Sequence, residues 1–156
     1  MMVSIVQVPT NVLSYLQEQQ TLTLASSSPD GSPRANTFLF VTDGQKLYFW
    51  TRPNSASARN VVERPRVGFA IDEYSADLRE TRGVHGLGDC AVVTGIDIAR
   101  VADLFGEKFP QLSRGMTMTI TFFSITPTEL VFIDNGDTGM STFDNEFGAQ
   151  FHGVRV

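Results

Sequence analysis

The sequence is poor in the residues that build disulfide frameworks and metal centres. It has one cysteine and two histidines among 156 residues. A lone cysteine excludes an internal disulfide and any multi-cysteine metal site, and two histidines are too few for a histidine-rich centre. Asp134, Asn135 and Asp137 form a cluster that is typical of turns rather than of metal-binding loops. We therefore predict a fold held together by its own core, without a bound metal.

Long hydrophobic runs are also missing. The chain has no stretch of about 18 apolar residues, so the sequence predicts no membrane-spanning helix. The first ten residues lack the basic start and the long apolar stretch of a secretory signal. We expect a cytoplasmic protein that does not act at a membrane.

Positive charge is scarce and unevenly placed. The formal net charge is −5, which disfavours a nucleic-acid-binding protein because that function needs a broad basic surface. Between Arg52 and Arg66, however, four arginines accompany a single acidic residue, Glu63. A small basic island in an acidic chain indicates a local anion such as a phosphate. The alternative is that these arginines are simply solvated at the surface.

The hydrophobic patterns and turn residues predict one domain, spanning 1–156, in which strands outnumber helices. Helices are predicted at 10–20, 56–63 and 97–107. Strands are predicted at 21–27, 34–42, 46–51, 66–72, 81–94, 116–125 and 129–134, with a polar loop at 73–80 and a turn at 126–128. Because the strands follow one another as hairpins, we expect a mainly β (α+β) fold. Its sheet should be an antiparallel barrel, closed or partly closed, with short helices at its ends.

Some of these strands are apolar on both faces. In strand 34–42, Phe38 and Phe40 share one face and Leu39 and Val41 share the other. Such strands need cover on both sides, and three short helices cover only part of a barrel. A second copy of the chain, giving a homodimer, is the simplest further cover. The alternative is that the third helix and the C-terminal tail provide it.

Two strands carry signs of irregularity. The apolar phase of strand 116–125 changes between Phe122 and Phe123, which predicts either a bulge there or a change of environment. In strand 81–94, Gly86 and Gly88 predict a bend or a bulge.

The stretch 48–71 combines the features of a phosphate-binding site. An aromatic strand ending at Trp50 runs into a loop and then a helix that Asn54 or Ser55 can cap. The start of a helix presents free backbone N–H groups, which bind anions. The polar and charged side chains nearby are Thr51, Ser55, Ser57 and either Arg52 or Arg59. Trp50 and Tyr48 offer flat surfaces for a planar ring, although capped helices after aromatic strands also occur without a ligand.

Three segments, in this order and spacing, resemble the pyridoxamine 5′-phosphate oxidase-like family. They are TLTLASSSPDGSPRANTFLF at 21–40, VTDGQKLYFWTRPNSASARNVVERPRVGFAI at 41–71 and TRGVHGLGDCAVV at 81–93. The resemblance covers roughly residues 10–134. It implies an FMN-binding split β-barrel, usually a homodimer that holds two FMN molecules at the subunit seam.

The resemblance also implies which residues contact the cofactor. In this family the strand along the flavin edge begins with a basic residue, and Arg34 stands near that position in the sequence. Asn36 and Thr37 follow at positions where family members contact the flavin ring. The pair Trp50 and Thr51 matches an aromatic-threonine pair of the family. A serine of the phosphate loop matches Ser55.

Other positions depart from the family pattern. Ser57 and Phe40 stand where many members have lysine, so Arg34 and Arg59, hydroxyls and backbone N–H groups are left to hold the phosphate. In the oxidases proper, a glutamine occupies a position close to that of Gly83 in the sequence. The tryptophan and arginine that contact substrate in those enzymes have no match in 135–156. The sequence therefore does not predict oxidation of pyridoxamine 5′-phosphate itself.

We expect from these residues an FMN-dependent oxidoreductase with a small-molecule substrate or electron donor that the sequence does not identify. His85 is a further cofactor-site candidate that could approach the flavin from the partner subunit; the alternative is an ordinary strand histidine. No residue stands out as a catalytic acid or base. The other readings are a non-catalytic flavin-binding protein, a relative that uses deazaflavin or haem, and a barrel without a cofactor.

Overall fold

The computed structural model describes residues 8–114, 119–135 and 153–155 of the chain. Three helices are present in these ranges: α1 (Thr10–Glu18), α2 (Ala56–Glu63) and α3 (Asp97–Lys108). The strands are β1 (Thr21–Ser27), β2 (Pro33–Thr42), β3 (Leu47–Thr51), β4 (Arg66–Glu73), β5 (Arg82–Val92), β6 (Thr121–Asp134) and β7 (Gly153–Arg155). Single 3-10 turns lie at Leu78–Glu80 and Pro110–Arg114.

The sheet closes into a six-stranded antiparallel barrel, as predicted. Its strands follow the order β3-β2-β1-β4-β5-β6, and β3 pairs with β6 to complete the ring. β7 pairs with β6 beyond that closure, where Val131, Phe132 and Ile133 face Arg155, Val154 and Gly153. The mainly β barrel with short flanking helices is therefore confirmed.

The predicted turn at 126–128 is wrong. The predicted strands 116–125 and 129–134 form one strand, β6, which runs unbroken from Thr121 to Asp134. Pro127 lies opposite Gly88, where the register between β5 and β6 shifts after Leu87. A proline is tolerated inside a strand at such an irregularity because the ladder hydrogen bond is already lost there. Residues 116–118 of the predicted strand lie outside the described residues, and residues 119–120 are not part of the strand.

The phase change between Phe122 and Phe123 comes from a change of environment, not from a bulge. The pairing of β3 with β6 is continuous from Leu47 and Ile125 to Thr51 and Thr121. Phe123 is buried in the barrel core, whereas Phe122 packs in a second cluster under α3. The register shift in β5 lies next to Gly88, as the glycines predicted.

Two hydrophobic clusters stabilise the fold. The barrel interior holds the large buried side chains, and α1 and α2 close its ends with Leu16 and Val61. The second cluster lies between α3 and the outer face of β2 and β3, where Val41 and Tyr48 meet Val101 and Phe105. The third helix of the chain therefore covers the outer face of these two strands, whereas most of the C-terminal tail, the other part of that alternative, lies outside the described residues.

Candidate functional site

The barrel is split between β2 and β3. These strands pair only from Phe40 and Phe49 to Thr42 and Leu47, close to their shared hairpin. Residues 33–39 of β2 pair with β1 on one side and have no partner strand on the other among the described residues. Residues 33–37 are exposed on both faces. This open edge presents a row of backbone N–H and C=O groups to a ligand.

The helix α2 begins at one end of this opening, directly after β3. Its N-cap is Ser55, whose hydroxyl accepts a hydrogen bond from the Ala58 N–H at 3.0 Å. The Thr51 hydroxyl, at the end of β3, donates to the Ser55 oxygen at 3.0 Å. The N–H groups of Ala56 and Ser57 have no partner in the part of the chain that the structure describes. Two donors therefore remain at the helix start for an anion.

The charge at the start of α2 is the reverse of what an isolated helix favours. Its first turn has no acidic residue, although the partial positive charge of a helix N-terminus favours carboxylates there. Arg59, the residue after this first turn, is exposed. Its guanidinium donates to the Asn54 carbonyl oxygen at 2.7 Å, which holds it over the loop before the helix. This arrangement favours a bound anion.

A hydrogen bond connects α2 to the open part of β2. The buried Ser57 hydroxyl donates to the Asn36 side-chain oxygen at 3.0 Å. A second hydrogen bond joins α2 to β1: the Asn60 amide donates to the buried Ser26 hydroxyl at 3.1 Å. Ser26 lies opposite Arg34 of β2 in the sheet. Arg34 and Asn36 therefore project on the side of β2 that faces the helix.

Six of the nine predicted cofactor residues thus lie around one opening. They are Arg34, Asn36, Thr51, Ser55, Ser57 and Arg59, and we call them the β2–α2 site. Asn60 was not among the predicted residues. Its signal was available, because an asparagine on the otherwise apolar face of an amphipathic helix needs a polar partner when it is buried.

Trp50 lies elsewhere. It neighbours Thr51 in sequence, and successive residues of a strand point to opposite faces. Its side chain packs in the cluster under α3 and lines an apolar cavity of about 130 Å³ there. The structure therefore places the indole under α3, on the opposite face of β3 from Thr51, and its contact with a cofactor stays a prediction.

Thr37 and His85 share the outer face of the sheet. Thr37 lies opposite Thr23, Thr23 opposite Ala70, and Ala70 opposite His85, so this row crosses four strands. At about 4.8 Å per strand, Thr37 and His85 are about 14 Å apart. Burial lowers the pKa of His85, and the nearby Glu129 carboxylate partly opposes that effect. His85 is thus not next to the β2–α2 site of its own chain.

The basic island of the sequence divides in the folded chain. Arg64 donates to the Pro29 carbonyl oxygen at 2.6 Å, and Arg66 pairs with Asp89 at 3.8 Å. Both arginines therefore have partners outside the α2 start. Arg59, by contrast, is held at the loop before α2 by its hydrogen bond to the Asn54 carbonyl oxygen.

Neither Cys90 nor the metal-ligating residue types form a second site in the described part of the chain. Burial raises the pKa of the Cys90 thiol to about 12, so this cysteine is inert. Within the described ranges, no group of histidine, cysteine and carboxylate side chains is placed to hold a metal ion. None of the helices described here has the length and apolar character needed to cross a membrane.

Comparison with protein families gives one match over most of the chain. Residues 8–134 match the family model described as pyridoxamine 5′-phosphate oxidase. None of the curated proteins matches the chain significantly.

Solved structures with the same fold have diverse descriptions. A conserved hypothetical protein from Mycobacterium tuberculosis is 22% identical, with a TM-score of 0.74 and coverage of 92% of this chain and 95% of that one. The haem storage protein HutZ from Vibrio cholerae is 20% identical, with a TM-score of 0.64 and coverage of 78% and 91%. A structure described as F420 reductase is 21% identical, with a TM-score of 0.60 and coverage of 79% and 98%. At these identities the likeness shows the fold alone.

Proposed function

The chain belongs to the pyridoxamine 5′-phosphate oxidase family, and from this premise we propose that it binds FMN and acts as an FMN-dependent oxidoreductase. The observation that carries the proposal is the position of the α2 start beside the open edge of β2. An anion-binding helix end and an unpaired strand edge suit the two ends of one FMN molecule.

The residues of the β2–α2 site fit the phosphate end of FMN. The N–H groups of Ala56 and Ser57, which have no partner among the described residues, are donors, and the Thr51 and Ser55 hydroxyls lie beside them. Arg59 supplies positive charge from the same turn. Hydroxyl and backbone donors with an arginine bind a phosphate without the lysines that many family members have.

The open edge of β2 fits the ring end. A flavin ring carries hydrogen-bond donors and acceptors along its rim, and the backbone of residues 33–39 offers both kinds of group. Asn36 is positioned by its bond to Ser57, so its amide N–H donors are free to meet the ligand.

Bound FMN supplies the electron-transfer chemistry. The chain's own residues bind the phosphate, orient the ring and leave one face of the opening for a small-molecule substrate or electron donor. No described side chain at the opening is placed as a proton donor or acceptor, so we assign no catalytic residue. Gly83 lies between β4 and β6, where it pairs with Asp72 and Ile133. It stands near the position of the glutamine of the oxidases proper and offers no side chain to a substrate, so pyridoxamine 5′-phosphate is not proposed as that substrate.

We further propose that the protein is a homodimer. Small uncharged side chains form an outer patch over β1, β2 and β4, next to the open edge; its members are Thr23, Ala25, Ala35, Thr37 and Ala70. α3 covers a different face, so the patch is the surface that a second subunit would bury. In such a dimer His85, at the margin of the patch, would come from the partner subunit toward the flavin.

The second candidate is a haem- or deazaflavin-binding protein without FMN. It is favoured by the descriptions of two structures with this fold, the haem storage protein HutZ and the F420 reductase. The absorption spectrum of the purified protein separates the three chromophores.

Titration of the protein with FMN tests the proposal. Flavin fluorescence should be quenched with saturation, and FMN should be retained after desalting. Replacing Arg59 by alanine should weaken binding about tenfold, because it removes one charge-assisted hydrogen bond from a partly solvated site.

Arg79→Ala is the matched control. Arg79 is also an exposed arginine, but it pairs with Asp77 at 3.2 Å in the loop before β5. Its loss should change FMN affinity by less than about twofold. Equal FMN affinities of the wild type and Arg59→Ala would contradict the placement of the phosphate at this site. An absence of quenching in the wild type would contradict FMN binding altogether.

A further inference from the structure

Lys108 is an unusual lysine in this chain. It is one of only two lysines, Lys46 and Lys108, and it ends α3. Its ammonium nitrogen is shielded from solvent and has no hydrogen-bond partner in the part of the chain that the structure describes. The nitrogen lies 4.2 Å from the centre of the Phe40 ring and 5.6 Å from that of Phe109. Burying an amine without a hydrogen bond is costly, and cation–π contact with the two rings offsets only part of that cost.

The side chain of Lys108 also lines a cavity of about 280 Å³ between α1, β2 and α3. The other lining residues are Gln17, Val41, Thr42, Leu104 and Glu107. Val41 and Leu104 give it an apolar wall, and the exposed Gln17 and Glu107 give it a polar rim. None of these residues belongs to the β2–α2 site. The cavity has room for a small organic ligand.

The environment keeps a fraction of this amine neutral. Burial lowers the pKa of Lys108 to about 8. Glu107, at the solvent-exposed rim, is the acidic residue that lines the same cavity. At pH 7 a larger share of Lys108 than of an ordinary lysine is then a neutral amine. A neutral amine is a nucleophile, whereas an ammonium group is not.

We propose that Lys108 and its cavity form a covalent binding site for a short aliphatic aldehyde. The alkyl chain of the aldehyde would lie on Val41 and Leu104, and the four-carbon stem of Lys108 lets the amine turn from Phe40 into the cavity. A carboxylate on the ligand is disfavoured because Glu107 lies at the rim.

The reaction is imine formation and needs no oxidant or reductant. The nitrogen lone pair attacks the carbonyl carbon, a C–N bond forms, and the amine proton passes to the oxygen to give a carbinolamine. Loss of that hydroxyl with the second amine proton, as water, leaves the C=N bond. The site is independent of FMN and of the function proposed above.

Reductive trapping tests the site, with Lys46 as the internal control. Lys46 is exposed in the β2–β3 hairpin. The full-length protein is incubated at pH 7 with propionaldehyde and cyanoborohydride, and propylation of each lysine is followed by peptide mass spectrometry. Lys108 should be labelled at least tenfold faster than Lys46, and its rate should saturate with aldehyde concentration while that of Lys46 rises linearly. The advantage of Lys108 should shrink as the pH is raised toward 10.

Two variants separate a binding site from a merely reactive amine. Leu104→Phe fills the cavity wall without touching the amine and should abolish saturation at Lys108. Lys108→Arg keeps the cation and should remove the fast adduct while Lys46 is labelled as before; thermal unfolding and FMN titration check that both variants fold. Labelling of Lys108 no faster than that of Lys46, or a rate linear in aldehyde, would overturn the proposal.

Discussion

At the scale of single residues, the clearest requirement is for glycine where β5 crosses close to β6. A Cβ atom on Gly86 would lie 2.1 Å from the Glu129 carbonyl oxygen and 2.9 Å from the Phe69 ring. The backbone at Glu129 cannot move far enough to relieve such a contact without separating β5 from β6. Gly86 is therefore present because of close packing rather than for a turn.

Gly86→Ala should destabilise the protein by about 3 kcal/mol or more, because overpacking against backbone cannot relax through side-chain rotation. Urea unfolding followed by circular dichroism measures the change. Gly106→Ala is the control, since nothing lies within 4 Å of a Cβ there and the position is helical. That change should stabilise the protein by up to about 1 kcal/mol. A neutral Gly86→Ala would contradict the described contact between β5 and β6.

At the scale of elements, the sequence predicted the bounds of most helices and strands correctly where a proline, a glycine or a capping residue marks their ends. β1 and α2 have the predicted bounds, because Pro29 and Gly31 follow β1 and because Ser55 caps α2 and Pro65 follows it. The prediction failed within β6, where Pro127 indicated a turn. The partner strand β5 accommodates that proline by a register shift, and pairing between distant segments is not visible in local sequence.

Ser55 has two roles in α2 that two substitutions can separate. Ser55→Ala removes the hydroxyl that caps the Ala58 N–H, so it should cost about 1 kcal/mol of stability and also weaken FMN binding. Ser55→Asp keeps a capping oxygen and should leave stability nearly unchanged. Its negative charge should nevertheless weaken FMN binding tenfold or more by repelling the phosphate.

Thermal unfolding and flavin titration of both variants measure these effects. Unchanged FMN affinity in Ser55→Asp, with a stable fold, would show that no phosphate lies at the start of α2.

At the scale of the whole molecule, the barrel and most of the site followed from the order of the segments. Arg34, Asn36, Thr51, Ser55, Ser57 and Arg59 meet because β2 and β3 diverge beside α2. Trp50 could not be placed from sequence, because the docking of α3 over the outer face of β3 decides its surroundings. The same docking covers the two-faced strands that favoured a second subunit, so the proposed dimer rests on the outer patch.

The outer patch predicts how the proposed dimer can be broken. Ala25 is exposed in β1 and lies between Ala35 and Gly68, at the centre of the patch. Ala25→Glu should convert the proposed dimer to a monomer, because each subunit would bury a carboxylate without a partner in the interface. Sedimentation velocity at low micromolar concentration measures the mass.

Ala99→Glu is the control for that substitution, since Ala99 is exposed in the first turn of α3 on another face. It should leave the dimer intact. A wild-type protein that sediments as a monomer would refute the dimer before any variant is made.

The most direct measurement of the central claim is a crystal structure of the protein soaked with FMN. The phosphate should lie within hydrogen-bond distance of the Ala56 and Ser57 N–H groups, and the ring should lie along residues 33–39 of β2. A phosphate bound away from the start of α2, or an opening closed by the protein's own side chains with no FMN in it, would contradict the account.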